Sequence, residues 1–201
     1  MTDPLEIAAT AFTLVCVILA VKRSLWQFPT GIVGTGLGFF VFWNASLYSS
    51  AVLQPIFIAV QLYGWWFWIR GDNRRAPPIR MTPAPVLAGG VLAAIAIAAA
   101  GAWTLESYGP AGVAMALPDA VILSLSIFAQ ILLSLKRIEN WFVWIAVNAL
   151  SVFVYGSQGL WLYAALYAFF FFNAFWGWWE WRKELRSYPQ PSGATTAHGA
   201  A

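Results

Sequence analysis

"GWWFWIR" fills residues 64–70 and "GWWEWRK" fills residues 177–183. The pattern G-W-W-x-W, closely followed by a basic residue, thus recurs at an interval of 113 positions. Sliding the chain against itself by that interval also pairs Ile32 with Ile145, Leu37 with Leu150, Phe40 with Phe153, Leu53 with Leu166 and Phe57 with Phe170, without a gap. Aliphatic pairs match by chance in any apolar chain. An ungapped register that ends in three matched tryptophans does not, and it predicts two copies of one unit.

The unit is built for lipid. Of 201 residues, 61% are hydrophobic and 9% are charged, against roughly 45–50% and about 25% in soluble domains. So few charges cannot cover the surface of a soluble chain, which predicts an integral membrane protein. About 20 residues at 1.5 Å each cross a hydrocarbon core, and seven stretches are candidates, the second and sixth of them short: 5–21, 28–43, 51–69, 85–105, 118–135, 141–155 and 160–181. The register makes the first three equivalent to the last three. Three spans have odd parity, so a direct copy would enter upside down, and one linking helix restores the orientation. The expected fold is all-α, with seven transmembrane helices in a 3+1+3 arrangement of two parallel three-helix repeats. Such repeats are a transporter architecture with the substrate site near the midplane. The second span is rich in glycine, at Gly31, Gly34, Gly36 and Gly38, which permits close helix approach. The linking span, "GGVLAAIAIAAAGAW" over 89–103, offers no strongly polar side chain.

All eleven basic residues fall after the first, third, fifth and seventh spans, on one side of such a chain. The positive-inside rule then puts the N-terminus outside and the C-terminus in the cytoplasm of an inner membrane. This distribution accounts for the net charge of +3 without nucleic acid. The single cysteine, Cys16, is read as a small filler in an apolar run, and a cleavable signal peptide is not expected behind Asp3 and Glu6. The single transmembrane domain should cover 1–186. Residues 187–201, which hold the only histidine, His198, read as a disordered cytoplasmic tail.

Polar side chains inside membrane helices are costly and usually face a cavity or a neighbouring helix. Trp141, Trp144, Asn148, Ser151 and Tyr155 share one face of the sixth span, and Gln54, Gln61 and Trp68 form one stripe on the third. Asp119, Ser126 and Gln130 line up on the fifth, with Asp119 also suited to capping its start. On the seventh, Tyr163 and Tyr167 share a face from which Asn173 is turned away. Each has a plainer role available: helix-to-helix bonding for the amides, packing for the serines, and interface anchoring for Trp65, Trp66, Trp178 and Trp179. Flat aromatics combined with neutral amides suit a flat, polar, cationic ligand through cation–π contact and paired hydrogen bonding. No P-loop, HExxH or buried carboxylate pair is present, and neither a metal nor another cofactor is expected. The acidic residues lie near span ends or in loops, which argues against a transmembrane proton relay.

"LYSSAVLQPIFIAVQLYGWWFW" (47–68) and "ENWFVWIAVNALSVFVYGSQGLW" (139–161), with W-x-x-W at Trp141 and Trp144 followed by Asn148, resemble the PnuC family of bacterial vitamin transporters. "FPTGIVG" (28–34) is compatible with it. The likeness runs from about Trp26 to Trp181. It implies a fold similar to the SWEET sugar transporters, a homotrimer, and uptake of nicotinamide riboside by facilitated diffusion, with trapping by a cytoplasmic kinase. It carries over most directly to Gln54, Trp141, Trp144 and Asn148, with Gln61 placed by similarity of position. Tyr163, Tyr167 and Asn173 complete the candidate set from the residues alone. Related members carry thiamine or riboflavin, and a non-transporting scaffold or sensor is the alternative from another class.

Overall fold

The computed structural model describes residues 4–44, 48–71, 76–108 and 116–187. The seven apolar stretches form seven α-helices there: α1 (Pro4–Val21), α2 (Gln27–Asn44), α3 (Tyr48–Arg70), α4 (Ala84–Tyr108), α5 (Ala116–Ser134), α6 (Asn140–Ser157) and α7 (Trp161–Ser187). No β-strand is found among the described residues. Composition alone makes α1, residues Ala84–Thr104 of α4, and α6 long and apolar enough to cross a membrane, with mean hydropathies of 2.2, 2.1 and 1.2. Gly in α2, and Trp and Tyr in α3 and α7, dilute that index without making those helices polar. Helix α7 runs past the expected stop at Trp181 because its charged last turns are held. Glu184 pairs with Arg23, and Glu180 with Lys183 at 3.0 Å. Apart from Ser187, the expected tail, with His198, lies outside the described residues.

Helix α1 packs on α2 and α2 on α3; α5 packs on α6 and α6 on α7. The two groups meet where α3 lies on α5 and α1 lies on α7. Helix α4 contacts only α5 among the described elements. The fit there is close, since a Cβ on Gly90 would sit 2.3 Å from the Phe128 ring.

The same local interactions recur at the 113-residue interval. Arg23 at the end of α1 and Lys136 at the end of α5 both take left-handed backbone, at φ 56° and 52°. Each closes a Schellman-type cap. Ser24 N–H donates to Leu19 O at 3.0 Å and Arg23 N–H to Ala20 O at 3.1 Å; Arg137 N–H donates to Leu132 O at 2.8 Å and Lys136 N–H to Leu133 O at 3.0 Å. A non-glycine residue held left-handed costs about 1–2 kcal/mol, and here a positive charge at the negative end of the helix dipole offsets part of it. The Lys136 ammonium also sits 4.3 Å over the Trp68 ring. Burial pushes its pKa down, Glu184 opposes the shift, and Arg23 adds to it.

The tryptophan motif has a structural reason that its sequence does not announce. Gly64 leaves room for the Phe28 ring, which a Cβ would meet at 2.8 Å; Gly177 leaves room for the Trp141 ring, at 2.4 Å. One turn later, Trp68 meets Phe28 edge-on at 5.2 Å and 84°, and Trp181 meets Trp141 edge-on at 5.4 Å and 86°. Both indoles are buried, and both N–H groups cross to the other helix group: Trp68 Nε1 donates to Ser134 O at 3.1 Å and Trp181 Nε1 to Ala20 O at 3.2 Å. Each edge contact contributes roughly 0.5–1.5 kcal/mol beyond the area it buries. Of the motif, only Trp66 and Trp179 are exposed, so the interface-anchor reading stays open to those two alone. Its glycine and third tryptophan build the core at the end of the bundle where α1, α3, α5 and α7 terminate.

Residues 76–83, which lead into α4, are strapped across this end. Arg80 N–H donates to Lys136 O at 3.1 Å, and Ile138 N–H to Arg80 O at 3.2 Å. The Glu139 carboxylate accepts both the backbone N–H and the hydroxyl of Thr82 at 2.9 Å. Ile79 is buried in the tryptophan cluster.

Candidate functional site

Above that cluster the bundle holds a cavity of about 430 Å³, walled by α1, α2, α3, α5, α6 and α7. It runs from Glu6, in the first turn of α1, to Ala20, in the last. Fourteen residues at 1.5 Å each make it about 21 Å long. Its floor is the aromatic core, through Ala20, Trp141 and Ala174. Helix α4 contributes no wall residue among its described side chains.

Seven of the eight sequence candidates line this space: Gln54, Trp141, Trp144, Asn148, Tyr163, Tyr167 and Asn173. Asn148 is 4% exposed and bonds to no described residue, so its amide keeps both donors and its acceptor for the cavity. The Trp141 Nε1 proton is buried without an acceptor. An unpaired buried donor costs about 1–3 kcal/mol. Trp144 is half-buried between the tryptophan cluster and the contact of α5 with α6. The tyrosines form a stack with Tyr155 at the centre, 5.2 Å and 17° from Tyr167 and 5.7 Å and 30° from Tyr163. Asn173, expected to turn away, reaches the cavity while Nδ2 donates to Val17 O at 3.3 Å. It ties α7 to α1.

Gln61 is the exception. Its amide is buried against α2, where Nε2 donates to the Thr35 hydroxyl at 3.0 Å, and it does not line the cavity. It shares a stripe with Gln54, as expected, but Gly31 opens a gap that takes the Gln61 amide: a Cβ there would lie 2.2 Å from Gln61 Oε1. Of the stripe on α5, Ser126 reaches the cavity with its hydroxyl turned back to Ile122 O at 2.6 Å, and Gln130 does not. The Asp119 side chain lies outside the described residues. Ser151 is a packing residue, bonded to Val147 O at 2.9 Å.

Helix α1 supplied none of the expected site residues. Glu6, Thr10, Thr13, Cys16 and Val17 line the cavity. Glu6 accepts from the Tyr163 hydroxyl at 3.4 Å, which links α1 to α7 at the end remote from the tryptophans. A carboxylate therefore does border the space, although near its end rather than at mid-depth. The register held the missed signal: Glu6 is the counterpart of Asp119, Thr13 of Ser126, and Thr35 of Asn148. Among the described residues that line the cavity, Glu6 is the only charged one. No cluster of three or more His, Cys, Asp or Glu able to hold a metal occurs among the described residues.

Comparison with known proteins follows this geometry. A family model described as nicotinamide mononucleotide transporter matches residues 3–183. The nicotinamide riboside transporter PnuC of Escherichia coli K12 is 29% identical, over 78% of this chain and 75% of that protein. The riboflavin/roseoflavin transporter RibM of Streptomyces davaonensis is also 29% identical, over 89% of this chain and 84% of that protein. A crystal structure of the vitamin B3 transporter PnuC superposes with a TM-score of 0.72 at 21% identity, covering 92% of this chain and 83% of that one. It shares the fold.

Proposed function

Because the chain belongs to the nicotinamide mononucleotide transporter family, and is thus a membrane-embedded transporter, we propose that it takes up nicotinamide riboside by facilitated diffusion. In this reading α1–α3 and α5–α7 are two parallel three-helix repeats joined by α4, all seven helices span the inner membrane, and the N-terminus lies outside. The observation that carries the substrate is the character of the cavity wall. It presents aromatic rings, an uncommitted Asn148 amide and the carboxylate of Glu6, and no Lys or Arg among the described residues.

A flat cationic heterocycle bearing a neutral sugar fits such a wall. A phosphorylated riboside does not, since a phosphate dianion buried with no protein cation among the described lining residues carries a penalty of several kcal/mol. The riboside is favoured over the mononucleotide on that ground. Asn148, Gln54 and Asn173 can pair with carboxamide and hydroxyls, and Trp141, Trp144, Tyr163 and Tyr167 can stack on the ring. An inside-negative potential of about 100 mV favours entry of one positive charge by about 2.3 kcal/mol. Phosphorylation by a cytoplasmic kinase would then remove the product from the carrier's equilibrium. A homotrimer is the assembly this reading adopts.

Riboflavin is the second reading, favoured by RibM at equal identity. Proteoliposomes loaded with riboside kinase and ATP separate the two. Labelled nicotinamide riboside should accumulate as its phosphate. Accumulation of riboflavin with riboflavin kinase, or of thiamine with thiamine kinase, in its place would overturn the substrate assignment, and movement of no solute would favour a scaffold.

A further inference from the structure

Thr35 on α2 and Asn148 on α6 occupy one position in the 113-residue register, and both line the cavity. Their neighbours differ in an informative way. Four residues before Asn148 stands Trp144, and four before Thr35 stands Gly31. On the partner helices the sizes reverse: α7 carries Ala174 where α3 carries Gln61. The first half thus fills with an amide from α3 the place that the second half assigns to an indole from α6.

That amide has one direct consequence. A hydroxyl has one proton and two lone pairs. Gln61 Nε2 donates to Thr35 Oγ1 at 3.0 Å, so the Thr35 oxygen is an acceptor and its proton must go elsewhere. Other helix hydroxyls return their proton to the preceding turn: Thr13 to Ala9 O at 2.9 Å, Thr30 to Trp26 O at 2.7 Å, and Ser126 and Ser151 likewise. Thr35 makes no such bond with any described residue. Its proton is therefore left for the cavity that it borders. Thr10 lacks such a bond too, but no described side chain orients it.

We infer that the Thr35 hydroxyl donates a hydrogen bond to a neutral oxygen of the transported molecule, a carboxamide carbonyl or a sugar hydroxyl, and that Gln61 is the positioning residue holding it in that role. The inference rests on the carrier reading of the cavity. Gly31 belongs to the same device, because a side chain there would displace the Gln61 amide and with it the orientation of Thr35.

Purified full-length protein titrated with nicotinamide riboside by calorimetry tests this. Thr35→Val, which keeps shape and removes the donor, should weaken binding about five- to ten-fold. Thr35→Ser should recover most of the affinity. Gln61→Met should cost a similar factor alone and no more than about two-fold further in the Thr35→Val background, since a residue acting through another is not additive with it. Ligand-free melting curves establish that each variant is folded. Thr35→Val binding as tightly as wild type refutes the donor role. Penalties that multiply refute the positioning role of Gln61. Wild-type protein that fails to bind the riboside at all refutes the carrier reading, and this inference falls with it.

Discussion

Replacing Gly177 by alanine places a methyl carbon 2.4, 2.5 and 2.6 Å from Cη2, Cζ3 and Cζ2 of Trp141. Carbon atoms in contact prefer about 3.5–4.0 Å, so the ring must retreat by about 1 Å. Trp181 blocks retreat on one side, since Trp141 is wedged edge-on against an indole itself tied to Ala20 O at 3.2 Å, so the ring can yield only by leaving that contact and moving into the cavity. Overpacking of this kind costs about 1–3 kcal/mol. At about 2–4 °C per kcal/mol for a chain of this length, a cost of about 2 kcal/mol lowers Tm in detergent by roughly 4–8 °C. Trp141 is also the floor of the cavity, so the same displacement should weaken riboside binding by about ten-fold. Adding Trp141→Leu to Gly177→Ala should restore Tm and leave binding impaired, which separates the packing role of the ring from its ligand role. Gly101→Ala is the control, because no atom lies within 4 Å of its Cβ. Gly177→Ala that melts and binds like Gly101→Ala would refute the close-packing account of the motif.

Three other outcomes follow from the geometry. Asn148→Leu, which removes an amide bonded to no described residue, should leave Tm within a few degrees of wild type while weakening riboside binding at least ten-fold by calorimetry. Glu6→Gln keeps an acceptor for Tyr163 and removes the only charge among the described cavity residues; riboside uptake measured at low ionic strength should slow by about two- to five-fold, with a smaller salt dependence than wild type. Trp68→Phe and Trp181→Phe each lose one indole bond to a carbonyl of the other helix group, so both should lower stability by a similar 1–2 kcal/mol in denaturant or thermal melts, and a large inequality would contradict their equivalence.

The helix order was legible because an apolar run of 20 residues in lipid has few alternatives, and the 113-residue register was legible because three tryptophans rarely match by accident. The role of those tryptophans was not. A tryptophan at a helix end suits the membrane interface and a buried core equally; Phe28 and Trp141, distant in sequence, decide between them. Asn148 could be found because a polar amide among apolar neighbours stands out. Helix α1 could not: the wall of a cavity in a membrane bundle can be as apolar as the surface facing lipid, so periodicity does not tell Thr13, Cys16 and Val17 from lipid-facing positions. Gln61 was misplaced for a different reason. Its helical face was read correctly, but the space opened by Gly31 on another helix captured the side chain first.

The central claim is that this cavity accepts a phosphate-free cation. Equilibrium binding of nicotinamide riboside and of nicotinamide mononucleotide to the purified wild-type protein tests it most directly, because the two ligands differ only by the phosphate. The account predicts that the riboside binds and that the mononucleotide binds at least about 100-fold more weakly, the loss expected when a phosphate dianion enters a wall whose described residues include no Lys or Arg. Equal or tighter binding of the mononucleotide would contradict it.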